Sequence, residues 1–225
     1  MTELNKRPVR SYILRQGRLT KYQENGIKKF ATKYTIPFQK IPINFDQVFS
    51  KKNKIILEIG FGMGDTTFKM AQEMPGSNFL AVEVHSPGVG SLLNKINLSQ
   101  LENLKIIQHD AIEVMNEMIP DKSLDGIHIF FPDPWPKKKH HKRRLLKKSF
   151  LNLMELKLSQ SGYIHIATDW EAYALEIITL VEENKFFKIP KRDFNEKPQS
   201  RPLTKYENRG LRLGHQVWDI FITLR

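Results

Sequence analysis

The hydrophobic positions of this chain alternate between two patterns. Five short β-branched runs predict buried strands, and the segments between them have apolar residues three or four positions apart, which is typical of helices. Strands that alternate with helices predict right-handed βαβ units and a doubly wound, mostly parallel sheet in an α/β fold. The strands are predicted at residues 55–60, 78–84, 104–110, 124–131 and 162–169, and the helices at 65–74, 90–98, 111–118, 143–158 and 170–183.

The two ends of the chain follow different patterns. After the fifth helix come FFKIP and an alternating segment at 217–224, which predicts the final strand. Residues 1–50 break the alternation, are basic and carry several prolines, so we expect a basic N-terminal extension packed on or near a domain formed by 51–225. No apolar run approaches the roughly 18 residues of a membrane span, and no signal-peptide pattern is seen, so a cytoplasmic location is expected.

Composition narrows the possible partners and sites. A net charge of +12 and a pI near 9.7 favour a polyanionic partner, either nucleic acid or an anionic membrane surface. The absence of cysteine excludes disulfides, thiolate zinc sites and cysteine nucleophiles. His140 and His141 are adjacent, a spacing that rarely puts both rings on one metal, so no metal site is predicted.

Acidic residues lie at or near the predicted carboxyl end of every one of the five strands. In a doubly wound sheet, ligands bind beyond these ends. Each acid taken singly could be a helix N-cap. In a chain of net charge +12, however, all five together predict a site for a cation or for several hydroxyl donors. They are Glu58, Glu83, Asp110, Asp133 and Asp169.

A glycine-rich turn after the first strand indicates nucleotide binding. Gly60, Gly62 and Gly64 let the backbone turn tightly and approach a ligand closely. The dinucleotide fingerprint is not met, because Asp65 stands at its third glycine position and would place a carboxylate where a pyrophosphate binds. Glu58 adds further negative charge. An adenosine ligand with a positive centre and no phosphate satisfies both observations, and S-adenosylmethionine is such a ligand.

Two other acids then have predicted cofactor contacts. Glu83 lies at the end of the second predicted strand, at the position where an acid binds both ribose hydroxyls in dinucleotide folds. Asp110 ends the third predicted strand and is placed to accept from the adenine amino group.

The segment PDPWP after the fourth strand is predicted to face the methyl acceptor. Its prolines fix the backbone and hold Asp133 and Trp135 in place, and an aromatic ring beside an acid suits a base removed from its stack. Residues 137–144 comprise six Lys or Arg and two His, enough to follow a phosphate backbone. This order of residues predicts an RNA or DNA substrate. Trp170 and Trp218 are predicted to be core aromatics.

Segments along nearly the whole chain are similar to those of one known family. They are RSYILRQGRLT, LEIGFGMGD, AVEVH, PDPWPKKKHHKRR, ATDW and RPLTKYENRGLRLGHQVWDI. They resemble the bacterial tRNA (guanine-N7)-methyltransferase family. The resemblance implies a Rossmann-like class I methyltransferase fold with a seven-stranded sheet and an antiparallel last strand. It also implies methyl transfer from S-adenosyl-L-methionine to N7 of guanine 46 in the tRNA variable loop.

The resemblance also implies roles for individual residues. Cofactor positions of the family fall on Glu58, Glu83, Asp110 and Asp133, and substrate positions fall on Lys137, Asp169, Thr204, Lys205, Tyr206 and Glu207. The family often has Phe at position 206 and Gln at position 208, where this chain has Tyr and Asn.

The chemistry of guanine N7 leads to a prediction of the catalytic residues. N7 carries no proton at neutral pH, so attack on the methyl group needs alignment rather than a general base. The product ring is cationic, and nearby carboxylates would stabilise the developing charge. We expect Asp133 and Asp169 to do this, with Glu207 third.

Other interpretations stay open at this point. Asp133 could serve an exocyclic amino group, although this loop reads Asp-Pro-Trp-Pro where such enzymes have Asp-Pro-Pro-Tyr. An inactive tRNA-binding protein fits the charge equally well, but has no reason to keep a ring of acids facing its substrate. Both monomer and homodimer are compatible with the sequence. Basic residues of the extension are predicted to contact tRNA: Arg7, Arg10, Arg15, Arg18, Lys21, Lys28 and Lys29.

Overall fold

A seven-stranded sheet forms the centre of the protein. The computed structural model describes residues 9–13, 17–204, 207, 214 and 216–225. The strand order is β3-β2-β1-β4-β5-β7-β6; the first five strands are parallel, and β7 is antiparallel to both β5 and β6. The predicted mostly parallel sheet with an antiparallel last strand is therefore confirmed. The strands are β1 Lys54–Ile59, β2 Ser77–Val82, β3 Leu104–Ile107, β4 Leu124–Phe130, β5 Leu158–Thr168, β6 Phe187–Lys188 and β7 Trp218–Leu224.

The helices between the strands follow the predicted alternation, with two differences in their starting points, and residues 1–50 contain two helices that the sequence did not predict. Helix α4 begins four residues earlier than predicted, at Ser86. Pro87 fits the first turn, because N–H groups there have no intrahelical acceptor and a proline therefore loses no hydrogen bond. The predicted helix 143–158 begins only at Lys148, since Lys138–Arg143 forms a separate 3₁₀ helix. The α-helices are α1 Lys21–Tyr34, α2 Phe45–Val48, α3 Asp65–Glu73, α4 Ser86–Ser99, α5 Ala111–Glu117, α6 Lys148–Lys157 and α7 Glu171–Glu182.

Helices cover both faces of the sheet, so the side chains of strand β1 pack into a core on each side. Ile55, Leu57 and Ile59 pack into one core cluster with α5, α6 and α7, while Ile56 packs into the cluster on the side of α3 and α4. Successive side chains of a strand point to opposite faces, so Glu58 lies on the Ile56 face. The pattern that makes β1 apolar on both faces thus places one carboxylate in the interior, at the end of the strand.

Helix α1 packs directly on α4. A Cβ at Gly26 would lie 2.4 Å from the Gly90 carbonyl oxygen, and Asn94 Nδ2 donates to the Tyr22 carbonyl at 2.8 Å. Beyond the helix, Thr35 forms a parallel bridge with Ile106 of β3. That residues 1–50 form a unit separate from 51–225 stays a prediction. Arg7 and Arg15 lie outside the described residues. In the described part of the chain, no helix has the length and apolar character that crossing a membrane requires.

Candidate active site

Two adjoining cavities lie at the carboxyl ends of the parallel strands. The larger has a volume of about 1010 Å³ and the smaller about 220 Å³, a combined space suited to small-ligand binding. Gly60 and residues 130–133 line both, so Asp133 lies where the two cavities meet. Glu58, Asp169 and Thr204 line the larger cavity. The smaller is lined by Glu83, His109, Ala111 and Tyr12, among others.

The glycine turn contributes to the lining of these cavities: its three glycines line the larger cavity, and the first of them also lines the smaller. Gly60, Gly62 and Gly64 have φ values of 76°, 57° and 72°, in the left-handed region that glycine adopts without steric cost. Gly62 N donates to Glu83 Oε2 at 2.9 Å, which ties the turn to the end of β2. A Cβ at Gly88 would lie 1.9 Å from the Gly62 carbonyl oxygen, so α4 approaches the turn closely only because residue 88 has no side chain.

Glu58 contributes a buried carboxylate to the wall of the larger cavity. The residue is only 2% exposed, and its Oε2 has no hydrogen-bond partner among the described residues. Burial raises the pKa of Glu58 to about 7, and repulsion from Glu83 acts in the same direction. A buried, unpaired carboxylate oxygen is costly. A ligand ammonium group placed in the cavity would satisfy it.

The Glu83 carboxylate is engaged by backbone amides. Its Oε1 accepts from Val84 N at 2.7 Å and from His85 N at 3.1 Å, and its Oε2 accepts from Gly62. These bonds fix the carboxylate in the lining of the smaller cavity. Its predicted contact with ribose hydroxyls stays a prediction.

Asp110 caps the N-terminus of helix α5. Its Oδ1 accepts from Ile112 N at 2.9 Å and from Glu113 N at 3.2 Å, so Asp110 is the N-cap of α5. The capping explanation therefore holds for this one acid of the five. Its neighbours His109 and Ala111 line the smaller cavity, and the predicted contact of Asp110 with adenine stays a prediction.

The loop after β4 is held from two sides. Trp135 Nε1 donates to the Ser11 carbonyl at 3.1 Å, and Arg144 Nε donates to the Pro134 carbonyl at 2.9 Å. Trp135 has φ 45°, an uncommon conformation for a non-glycine residue that the surrounding contacts must maintain. The loop thereby presents Asp133 to both cavities in a fixed position.

The basic run separates into an exposed part and one buried residue. Lys137 and the 3₁₀ helix Lys138–Arg143 lie at the surface, and the Arg143 guanidinium stacks 5.2 Å from the Trp135 ring centroid. Arg144, which sequence reasoning counted among the phosphate contacts, is 3% exposed and pairs with Glu176. That prediction was wrong for Arg144, because the side chain turns inward and binds the Pro134 carbonyl and Glu176.

Two residues after β5 reach the larger cavity. Asp169 and Trp170 both line it, as the strand end requires. Trp170 is 41% exposed, so the prediction of a core aromatic was wrong. The residue occupies the N-cap position of α7 rather than a position inside the helix.

The predicted substrate segment at 204–207 is only partly described. Thr204 lines the larger cavity, and Lys205 and Tyr206 lie outside the described residues. Glu207 is buried, and both of its carboxylate oxygens accept from Arg201. Sequence reasoning missed Arg201 and its second partner, Asp219. The available signal was an acid in the alternating apolar strand β7, where a buried carboxylate needs a cation.

Among the residues that the structure describes, no group of three or more His, Asp or Glu is arranged to hold a metal ion.

Comparisons with known proteins agree on one kind of enzyme. A family model described as "Putative methyltransferase" matches residues 52–220. A tRNA (guanine-N(7)-)-methyltransferase of Methylobacillus flagellatus is 49% identical over 219 residues, covering 97% of this chain and 92% of the relative. One of Nitrosospira multiformis with the same name is 47% identical over 214 residues, covering 95% and 93%.

Solved structures show a similar fold at low sequence identity. The 16S rRNA methyltransferase KamB superposes with a TM-score of 0.61 at 17% identity, covering 80% of this chain and 92% of that one. An rRNA methylase from Streptococcus thermophilus gives 0.52 at 12% identity, with 79% and 90% covered. At these identities the likeness concerns the fold alone.

Proposed function

The chain belongs to the tRNA (guanine-N(7)-)-methyltransferase family, and we propose that it transfers a methyl group from S-adenosyl-L-methionine to N7 of a guanine in tRNA. The observation that carries the proposal is the meeting of two cavities at Asp133. The smaller takes the adenosine part of the cofactor, and the larger takes its amino-acid end and the guanine. For the acceptor base we propose guanine 46 of the variable loop, the position that the resemblance of the sequence implies.

The residues at the cofactor side fit this ligand. The unpartnered oxygen of Glu58 accepts from the ammonium group of the amino-acid end. The glycine turn lets the backbone lie against the ligand, and Glu83 accepts from the ribose hydroxyls. Asp110 is assigned to the adenine amino group through the oxygen that does not cap α5.

Asp133 and Asp169 act on the acceptor. The bound cofactor would supply an electrophilic methyl group. Guanine N7, which carries no proton, would form the new N–C bond with its lone pair as the S–C bond breaks and S-adenosylhomocysteine leaves. The protein therefore needs no general base; it holds the base in line and keeps water out. The two carboxylates stabilise the positive charge that develops on the ring and accept from its Watson–Crick edge.

The exposed basic surface is assigned to the tRNA backbone. Lys137 and the 3₁₀ helix Lys138–Arg143 follow the acceptor loop directly, so a phosphate bound there places its nucleotide near Asp133. Arg18, Lys21, Lys28 and Lys29 of the extension supply further phosphate contacts. We place the activity in the cytoplasm, together with its tRNA substrate.

Labelled S-adenosylmethionine and unmodified tRNA test the proposal directly. After incubation, the tRNA is digested to nucleosides and the labelled nucleoside is identified. Label in 7-methylguanosine is the expected result. Label in another nucleoside would refute the acceptor but keep the methyltransferase, and cofactor binding without any label would refute tRNA as the substrate.

A further inference from the structure

Arg201 is fully buried between β7 and the substrate segment. Its exposed fraction is 0%, and arginine is rarely buried to this extent unless it is paired. Nε and Nη2 donate to the two carboxylate oxygens of Asp219 at 2.8 and 2.7 Å. Nη1 and Nη2 donate to the two oxygens of Glu207 at 2.6 and 2.8 Å. One guanidinium therefore binds two carboxylates, each through two hydrogen bonds, which fixes their relative position.

The Asp219 side of this cluster is anchored in the sheet. Asp219 lies in β7 opposite Ala167 of β5, whose end leads to Asp169. His165 of β5 contacts Asp219 Oδ1 through Nε2 at 2.6 Å. Burial lowers the pKa of His165 despite the opposing effect of Asp219, and Nε2 is the donor of this hydrogen bond because an ionised carboxylate can only accept.

The Glu207 side of the cluster is tied to the cavity wall. Glu207 Oε2 also accepts from Thr204 N at 3.2 Å, and Thr204 Oγ1 accepts from Glu207 N at 3.0 Å. These reciprocal bonds join the two residues into one unit, the Thr204/Glu207 pair. Thr204 lines the larger cavity, so the position of Glu207 determines part of that wall.

The guanidinium also lies behind the end of β4. Its Cζ is 5.8 Å from the ring centroid of Phe130 and 5.7 Å from that of Phe131, within the range of cation–π attraction. Both rings line the two cavities, immediately before Asp133. A single side chain thus contacts β7, the Thr204/Glu207 pair and the two rings that precede Asp133 in the chain.

We propose that Arg201 is a positioning residue for methyl transfer. It holds the Thr204/Glu207 pair against β7 and thereby fixes part of the wall of the larger cavity. Glu207 then acts through Arg201 and Thr204, rather than by touching the guanine. The kinetic part of the test rests on the proposed function, whereas the structural part does not.

Arg201→Lys tests the proposal with the positive charge retained. A lysine cannot bind two carboxylates bidentately, so the Thr204/Glu207 pair loses its fixed position. We expect kcat/KM for tRNA to fall by about 100-fold, as misplacement of a site by about an ångström does. Lys157→Met is the control. Lys157 is also a buried cation, paired with Asp121 at 2.7 Å, but it directly precedes the first residue of β5 and so lies at the amino-terminal end of that strand, away from the cavities. It should change kcat/KM by no more than about twofold. An equal loss in both variants would overturn the proposal.

A double-mutant cycle separates positioning from general destabilisation. If Arg201 acts through Thr204, combining Arg201→Lys with Thr204→Ala should cost little more than the worse single change. Additive losses would contradict this.

Hydrogen exchange of the unliganded protein gives a readout that needs no methylation activity. Arg201→Lys should speed exchange at the Thr204 and Glu207 amides at least tenfold, and leave the amides of β5 protected. Unchanged exchange at Thr204, or faster exchange across the whole sheet, would refute the proposal even if tRNA were not the substrate.

Discussion

Replacing Glu58 by glutamine should stabilise the ligand-free protein while weakening its cofactor binding. The folded protein raises the pKa of this carboxyl group from 4.5 to about 7. The folded state therefore holds the proton more tightly than the unfolded chain, and wild-type stability falls as pH rises from 4.5 to 7. Glutamine has the same shape and does not ionise. Its stabilising effect should thus grow across this pH range and stay constant above it.

The size of the effect follows from the pKa difference. At about 1.4 kcal/mol for each pKa unit, the ionised Glu58 costs about 3 kcal/mol of unfolding free energy at pH 8. The residue is almost completely buried, so solvent screening reduces this little. For a chain of this length, we expect the variant to melt about 10 °C above the wild type at pH 8 and at nearly the same temperature at pH 4.

Urea denaturation of both proteins at pH 4, 6 and 8 measures the difference in unfolding free energy. Glu183→Gln, at the exposed end of α7, is the control. Calorimetry with S-adenosylmethionine completes the experiment, since the variant should bind it at least tenfold more weakly through the loss of the ammonium contact. A stability gap that is absent at pH 8, or that is equal at pH 4 and 8, would refute the reasoning.

Three further changes test other parts of the site. Asp133→Ala should lower kcat by at least about 100-fold with tRNA affinity nearly unchanged, and a variant that keeps most of its activity would remove Asp133 from the mechanism. Changing Lys138, Lys139 and Lys142 to glutamine should reduce the salt dependence of tRNA binding by up to about three in logarithmic slope; an unchanged slope in a salt titration would place the tRNA elsewhere. Gly88→Ala should weaken cofactor binding at least tenfold, because its Cβ would displace the glycine turn, and equal affinity by calorimetry would contradict that geometry.

The parallel part of the fold was predictable because its signals are local. Each apolar run of β1 to β5 is buried on both faces, so it can be recognised without knowing its neighbours. The carboxyl ends of parallel strands share one edge of a sheet, which is why Glu58, Asp133 and Asp169 were expected together and do line one cavity.

The missed features depend on contacts between residues far apart in the chain. Arg144 belongs to a basic run by sequence, but Glu176 and the Pro134 carbonyl draw it inside. Arg201 pairs with Asp219 across 18 positions, and neither residue alone indicates the other. Trp170 is a large aromatic residue of the kind usually found in a core, but it is exposed because it lies at the N-cap of α7.

The position of β7 constrains the order in which the protein can be completed during synthesis. This strand is made after β6 yet lies between β5 and β6. While the ribosome is still translating the preceding residues, β6 has no neighbour to pair with, and Arg201 has no Asp219. An incomplete nascent chain therefore cannot complete the pairing of Arg201 with Asp219, however early its first five strands fold.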